Sequence, residues 1–322
     1  MSGLHRRAVL AGTISTTLNV PGIVRAQADW PKGPIKLVVP FPPGGGTDPI
    51  ARIIAAKLGD TAGWQIVVEN KPGAAGVIGA AVVAKSPADG QSWLVTFDSH
   101  ILSPAFTNNM PYKESELANL MLIGRAPLVI VCHPDRPYRN FIEVAADAKS
   151  RPGKVSIGFS TSTVQMEIDA LNRLAGIELL PVPYKGVPAT VNDVLGDSLA
   201  ATLVDPGNGL PHIKSGQLRA LGVTSLKRNP LTPDIPAISE TLPGYDFPSW
   251  TAMVGPANMP RDTVNKIHAA MQSALKQKEL VDKFAQAGTL PYFLSPDELK
   301  ALIDAETAKW IKAARDANIQ PE

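Results

Sequence analysis

Short apolar runs alternate with segments of helical spacing along most of this chain, and that pattern limits the folds open to it. Strands that are apolar throughout and alternate with helices are typical of parallel sheets covered on both faces. The predicted strands are 35–41, 64–70, 92–98, 128–134, 155–160, 179–184, 199–205 and 218–225. The predicted helices lie near 49–58, 76–85, 140–149, 163–175 and 187–195.

There are more of these strand–helix units than one small sheet accommodates, so we predict an α/β fold of two lobes. Each lobe is a mostly parallel sheet flanked by helices, with a ligand cleft between the lobes. The chain is predicted to cross between the lobes near 124–134 and 249–256, and to be helical from Pro260 onward, where Ser295 and Glu298 form a capping box. The predicted domains are an export signal (1–28), a first lobe (29–126 with 252–322) and an inserted second lobe (127–251).

The N-terminus has the pattern of an export signal. It has a basic start at 5–7, a mostly apolar middle and the small-residue ending Ala26-Gln27-Ala28. Cleavage after Ala28 gives a mature chain that begins at Asp29. The pair Arg6-Arg7 resembles a twin-arginine signal, and an ordinary Sec signal that carries two arginines is the alternative.

Composition excludes several classes of function. A net charge of +2 gives no electrostatic footprint for nucleic acid or an acidic membrane surface, and 44% hydrophobic residues suit a soluble globular protein. The single cysteine, Cys132, has no partner for an internal disulfide. Its place in the apolar run LVIVCHP predicts a buried core residue rather than a nucleophile.

Three consecutive glycines, 44–46, stand between the first predicted strand and the first predicted helix in VVPFPPGGGTDPIARIIAAKLG. Asp48 is a suitable N-cap, Pro49 a suitable first helical residue, and Gly59 a suitable end for the helix. Free N–H groups at a helix N-terminus, next to the carboxyl end of a strand, favour an anion. We therefore predict that these glycines face an anionic ligand.

Small polar turns recur after later strands. They are Gly73–Gly76, Asp98-Ser99-His100, Ser160–Thr163, Tyr184-Lys185-Gly186 and the turn at Asp205. In the second lobe, Ser162 and Gln165 have the spacing of a capping box at the start of an amphipathic helix. Turns of this kind, at the same edge of each sheet, would surround one cleft.

Motifs of common enzymes and cofactor sites do not match. The segment GGGTDP lacks the third glycine of a dinucleotide fingerprint, and GAAGVIG has the wrong spacing. In GFSTS, Ser162 stands where a nucleophile elbow needs glycine. The five histidines are scattered and lack the spacing of metal ligands. We therefore expect neither an enzyme nor a bound cofactor or metal.

Several segments have a specific resemblance. They are VVPFPPGGGTDPIARIIA, VVENKPGAAGVIGA, KSPADGQSWL, PGKVSIG, VPYKG, HIKSGQLRALGVTS and TPDIPAISETLPGYDFPSW. Together they resemble the Bug-type periplasmic solute receptors of tripartite tricarboxylate transporters, over essentially the whole mature chain. The resemblance implies a periplasmic-binding-protein-like fold. In it, a small organic acid lies between the lobes and the loops after the first strands hold its carboxylate, partly through ordered water.

The resemblance implies ligand-binding roles for residues of both lobes. In the first lobe these are Pro42, Gly44, Gly45, Gly46, Thr47, Asp48, Ala74, Ala75 and Gly76, and the turn after the third strand adds Ser99 and His100 as candidates, although that segment is less typical of the family. In the second lobe they are Ser160, Thr161, Ser162, Thr163, Tyr184, Lys185, Gly186 and Asp205. The loop GFSTST and the residues Gln165 and Met166 depart from the usual pattern of the family and add no arginine, which leaves open whether the ligand has a second carboxylate.

We expect a monomeric periplasmic receptor that binds a small organic carboxylate and delivers it to the subunits of a membrane transporter, without a cofactor and without nucleic acid. One alternative is a ligand sensor of the same fold that signals to a sensor kinase. Another is an exported α/β enzyme that acts on a carboxylate.

The export signal gives a direct prediction. Protein recovered from the periplasm should begin at Asp29, because Ala26-Gln27-Ala28 has the small residues that a signal peptidase accepts. N-terminal sequencing of that material is the measurement. A chain that retains Met1 would contradict the export signal.

Overall fold

In the computed structural model, which describes residues 30–98 and 109–316, the strands form two separate sheets. The strands of the first sheet are β1 (Ile35–Val39), β2 (Ile66–Asn70), β3 (Ser92–Phe97), β4 (Leu117–Arg125), β10 (Trp250–Pro256) and β11 (Leu290–Leu294). Those of the second are β5 (Val129–Cys132), β6 (Val155–Phe159), β7 (Leu179–Pro183), β8 (Ala201–Val204) and β9 (Arg219–Val223). All the predicted strands are confirmed.

Each sheet is built around three parallel strands. The first sheet has the order β11-β4-β10-β3-β1-β2, in which β1 pairs in parallel with β2 and β3. The second has the order β7-β6-β8-β5-β9, in which β6 pairs in parallel with β7 and β8. The remaining pairs are antiparallel, so both sheets are mixed rather than mostly parallel. An apolar run indicates that a strand is buried but not in which direction it runs, so the antiparallel pairs could not be predicted from the sequence.

Helices cover the sheets, and the predicted helical segments are confirmed. The helices are α1 (Thr47–Ala62), α2 (Val77–Ala84), α3 (Phe141–Ser150), α4 (Ser162–Ala175), α5 (Val187–Leu195), α6 (Pro206–Lys214), α7 (Arg261–Leu275), α8 (Lys278–Gln286) and α9 (Pro296–Asp316). The capping box at the start of α9 is confirmed, since Ser295 N–H donates to Glu298 Oε2 (2.8 Å) and Glu298 N–H donates to Ser295 Oγ (3.3 Å).

Four elements were not predicted. The strand β10 was interpreted as a crossing, and β4 was not assigned. The tail was predicted to be helical throughout, but β11 interrupts it at the edge of the first sheet, a position where a strand tolerates a proline such as Pro291. The helix α6 has the sequence PGNGLPHIK, whose glycines and prolines are poor helix formers.

The chain passes between the sheets twice, through 126–128 after β4 and through 224–249 after β9. All strands from β5 to β9 belong to the second sheet, while the division of the chain into domains at 126 and 252 stays a prediction. The described residues from Pro31 onward form one compact unit. None of the helices in the described part of the chain has the length and apolar character that a membrane crossing requires.

The last helix, α9, contacts the cores of both sheets. Near its start, Leu299 and Ile303 pack with Trp250 of the first sheet. Near its end, Trp310 is buried in the core of the second sheet, with its ring centroid 5.1 Å from that of Phe247. The helix therefore joins the two sheets by packing, in addition to the two covalent crossings.

Trp310→Ala should destabilise the protein strongly, because it removes a large side chain that is 3% exposed from a packed aromatic cluster. We expect a loss of about 3–5 kcal/mol in the free energy of unfolding, measured by denaturant titration. Tyr292→Ala is the control. Because Tyr292 is 41% exposed, this substitution should lower the free energy of unfolding by less than about 1 kcal/mol. Equal losses for the two variants would show that α9 is not anchored in the second core.

Candidate functional site

A cavity of about 570 Å³ lies between the two sheets, where the parallel strands of both sheets end. This outer cavity is bordered on one side by the segments that follow β1 and β2 and by Phe97 at the end of β3, and on the other by the segments that follow β6, β7 and β8. The predicted residues that line it are Pro42, Gly45, Gly46, Ala74, Gly76, Ser160, Thr161, Tyr184, Lys185, Gly186 and Asp205. Ligands bind at this edge of open α/β sheets.

Another depression, of about 600 Å³, lies beside the first sheet between Tyr112 and Lys300. None of the predicted site residues lines it, and it is not at the carboxyl ends of the parallel strands. The outer cavity is therefore the candidate site, although the two have similar volumes.

The glycine turn offers fewer free N–H groups than the sequence suggested. The N–H of Gly44 donates to Asp48 Oδ2 (3.1 Å) and the N–H of Gly45 donates to Pro42 O (3.1 Å), so both are used within the turn. Among the described residues, the N–H groups of Gly46 and Thr47 have no acceptor. Gly46 lines the cavity and immediately precedes α1, so the positive end of that helix points toward the ligand space.

Asp48 is not the N-cap that was predicted. Helix α1 begins at Thr47, one residue earlier, and its end is Gly63 in the left-handed region (φ 69°) rather than Gly59. The Asp48 carboxylate accepts from Arg52 Nε (3.0 Å) and Asn70 Nδ2 (3.0 Å) as well as from Gly44. Burial raises its pKa, but these hydrogen bonds outweigh that effect and lower it below the ordinary value. Asp48 thus holds the turn in shape.

Asp48, Gly44 and Thr47 do not line either cavity of the cleft. The Thr47 hydroxyl is buried and has no hydrogen-bond partner in the described part of the chain. Their roles in binding stay predictions, and the structure supports an indirect role for Asp48 through the turn.

The second turn is a short 3-10 segment, Ala74–Gly76, between β2 and α2. Gly73 (φ 133°) and Gly76 (φ 100°) adopt backbone angles that favour glycine, and a Cβ at Gly73 would lie 2.5 Å from the Ile78 Cδ1 atom. The N–H of Ala74 has no acceptor among the described residues, and Ala74 lines the outer cavity. Ala75 belongs to the same turn.

On the second sheet, Thr161 rather than Ser162 is the N-cap of α4. Its Oγ1 accepts from Val164 N–H (3.4 Å), and Ser162 is the first helical residue, so the predicted capping box with Gln165 is wrong. Tyr184 donates its hydroxyl to Asp193 (2.6 Å), and burial together with that bond raises the pKa of Tyr184 to about 12. Lys185 is exposed at the rim.

Asp205 connects the two sides of the cleft. It is the N-cap of α6 and accepts from the N–H (3.1 Å) and Nδ2 (2.7 Å) of Asn208. Burial raises the pKa of Asp205, and the bonds from Asn208 oppose that shift. A Cβ at Gly46 would lie 2.6 Å from Asp205 Cγ and 2.8 Å from Phe97 Cζ. The loops of the two sheets therefore meet at Gly46.

A smaller inner cavity of about 40 Å³ adjoins the outer one. Both cavities are lined by Phe97, Ser160, Thr161, Val187 and Asp205. The predicted residue Thr163 lines the inner cavity only, with its Oγ1 3.2 Å from Thr161 Oγ1.

Glu167 of α4 also lines the inner cavity, and sequence reasoning missed it. It is 3% exposed, and Tyr245 donates its hydroxyl to Glu167 Oε2 over a long 3.4 Å. Burial, and then the charge of Asp98, raise the pKa of Glu167 well above its ordinary value. A signal was present, because Glu167 lies on the buried face of α4, three residues after Val164 and four before Leu171.

Two predicted residues, Ser99 and His100, lie outside the described residues. Within the described residues, no three His, Cys, Asp or Glu side chains are grouped in a way that could hold a metal ion.

Comparison with known proteins agrees with this geometry. The solved structure of the periplasmic binding protein BugD has 30% sequence identity and a TM-score of 0.84, and the match covers 91% of this chain and 100% of that one. Rpa4515 of R. palustris, solved with adipate, has 30% identity and a TM-score of 0.87, and the match covers 91% of this chain and 100% of that one. Protein BugT of Bordetella pertussis is 32% identical over 319 residues, 97% of this chain and 98% of the relative.

The fold is therefore that of a two-lobed periplasmic binding protein, with its ligand cleft between the lobes. The sequence matches the family described as "TctC: Tripartite tricarboxylate transporter family receptor" over residues 50–319. The chain belongs to this family of solute-binding receptors, as the resemblance indicated.

The buried Glu167 should make stability depend on pH. A carboxyl whose pKa is raised in the folded state stabilises the fold fully below its unfolded pKa, near the ordinary value of 4.5, and loses that contribution as pH rises through the folded pKa. Glu167→Gln should therefore melt at a higher temperature than the wild type at pH 8, and the difference should shrink toward pH 4. The exposed Glu114→Gln is the control. A difference that does not change with pH would contradict the raised pKa.

Proposed function

We propose that this protein is an extracytoplasmic receptor that binds a small organic carboxylate between its lobes and delivers it to a tripartite tricarboxylate-type membrane transporter. The observation that carries the proposal is the outer cavity, which is lined by segments of the second sheet and by Gly46 and Ala74, whose N–H groups have no acceptor among the described residues. The adipate in the related Rpa4515 supports a carboxylate as the ligand class.

The carboxylate would be held at the N-terminus of α1. The N–H groups of Gly46 and Ala74 and the ammonium of Lys185 are the donors that line this end of the cavity. Hydrogen bonds to a charged group contribute about 1.5–3 kcal/mol each. Three of them would offset part of the cost of association and make a micromolar affinity, about −8 kcal/mol, reasonable.

Binding would bring the lobes together. The two crossings, 126–128 and 224–249, provide a hinge of the kind on which two-lobed receptors close, with lobes at 29–126 plus 252–322 and at 127–251. The close approach of Gly46 to Asp205 supports the view that the loops meet in the closed form.

We further propose that the protein is exported to the periplasm, by the twin-arginine route if Arg6-Arg7 is read as such a signal, and that it acts there as a monomer. It performs no catalysis, and its partners are the ligand and the membrane subunits of the transporter. The family match favours delivery to a transporter over signalling to a sensor kinase.

Gly46→Ala tests the site. The added Cβ would collide with Asp205 and Phe97, so it should weaken every carboxylate in a panel together, by at least about tenfold. Titration calorimetry is the measurement. Gly59→Ala is the matched control, because it lies on the same helix and its Cβ would meet Trp64 O at an ordinary 3.5 Å.

Unchanged affinities in Gly46→Ala would place the carboxylate elsewhere. Conversion of a bound acid into a product by the wild type would favour the exported enzyme instead, and it is checked by mass spectrometry of the ligand after incubation.

A further inference from the structure

The carboxyl group of Glu167 is buried, and within the described residues no cation forms an ion pair with it. Its Oε2 accepts the long bond from Tyr245, and its Oε1 has no hydrogen-bond partner among the described residues. Lys309 is a cation whose charge acts on Glu167, but its Nζ donates to Asp246 O (2.9 Å) and lies 4.9 Å from the Phe247 ring centroid. Burying a carboxylate with so few hydrogen bonds destabilises the folded protein unless a bound group donates to it.

A hydroxyl-bearing residue lies beside the same space. Ser249 is 5% exposed and lines the inner cavity, and it also lines a depression around Arg228. Ser249 and Glu167 therefore border one cavity, where a single bound group could contact both side chains.

The two ends of the cleft differ in charge. The outer end carries Lys185 and the free N–H groups of Gly46 and Ala74, which favour an anion. The inner end carries the carboxyl groups of Asp98 and Glu167. Burial and the charge of Asp98 raise the pKa of Glu167, and an ammonium group beside it would oppose that shift by stabilising the ionised form, whereas a second ligand carboxylate would raise the pKa further.

The inner cavity also limits the size of what enters it. Its volume of about 40 Å³ admits only a small group of a few heavy atoms, so only the end of a ligand can enter it.

We propose that Glu167 determines specificity by binding a primary ammonium group at the end of the ligand opposite its carboxylate, so that the preferred ligands are amino carboxylates rather than dicarboxylates. This inference rests on the proposed function, because the first-sheet turns must hold the carboxylate. Tyr245 positions the Glu167 carboxyl, and Ser249 accepts a further N–H of the ammonium group.

The test is titration calorimetry with straight-chain ω-amino carboxylates and with dicarboxylates and monocarboxylates of equal carbon count. In the wild type, the best amino carboxylate should bind at least about tenfold more tightly than its dicarboxylate counterpart. Glu167→Gln should abolish that preference and spare the monocarboxylates. Asp169→Asn is the matched control, because it removes one carboxylate from the same helix but does not line either cavity.

Ser249→Ala is a second variant and should weaken amino carboxylates selectively, in the same direction as Glu167→Gln. If dicarboxylates bind more tightly than amino carboxylates, or if Glu167→Gln leaves the preference intact, the inference is overturned while the carboxylate receptor stands. If no member of the three series binds the wild type, the proposed function is overturned and this inference with it.

Discussion

The cleft depends on one buried carboxylate, that of Asp48. It accepts from Gly44, Arg52 and Asn70, and Asn70 also donates to Phe41 O (3.1 Å), so the ends of β1 and β2 and the first turn of α1 are held as a unit. The N–H groups of Gly44 and Gly45 donate within the turn, so the N–H groups that remain available to a ligand are those at the start of α1. The shape of the turn, more than the number of its glycines, defines the site.

On the opposite side of the cleft, the second sheet contributes acidic side chains. Asp205 is fixed by its capping bonds to Asn208, whereas Glu167 has only a long bond from Tyr245. The two carboxyls are both buried, but only Glu167 is short of partners within the described residues. Functional sites often retain groups that the fold alone would not favour, and Glu167 fits that pattern.

The sequence predicted the strands of both sheets that carry the cleft and most of the residues that line it, because strand ends with glycine and polar turns leave a local signature. It did not predict β10, since an apolar strand that returns from the second lobe looks the same as a crossing segment. It misplaced two helix starts, at Thr47 and Ser162, because several residues nearby are acceptable caps. Glu167 was missed because the helical pattern was read for its apolar members alone.

The packing of α9 has a consequence for how the protein moves. If the cleft opens about the two crossings, as proposed above, the packing of α9 on one of the two cores must shift, since α9 begins on one sheet and ends in the core of the other. The balance between open and closed populations would then depend partly on contacts such as that of Trp310 with Phe247, which lie away from the cavity. Substitutions in that contact could retune affinity while the binding surface stays the same, which gives evolution a means of adjusting the strength of binding independently of the choice of ligand.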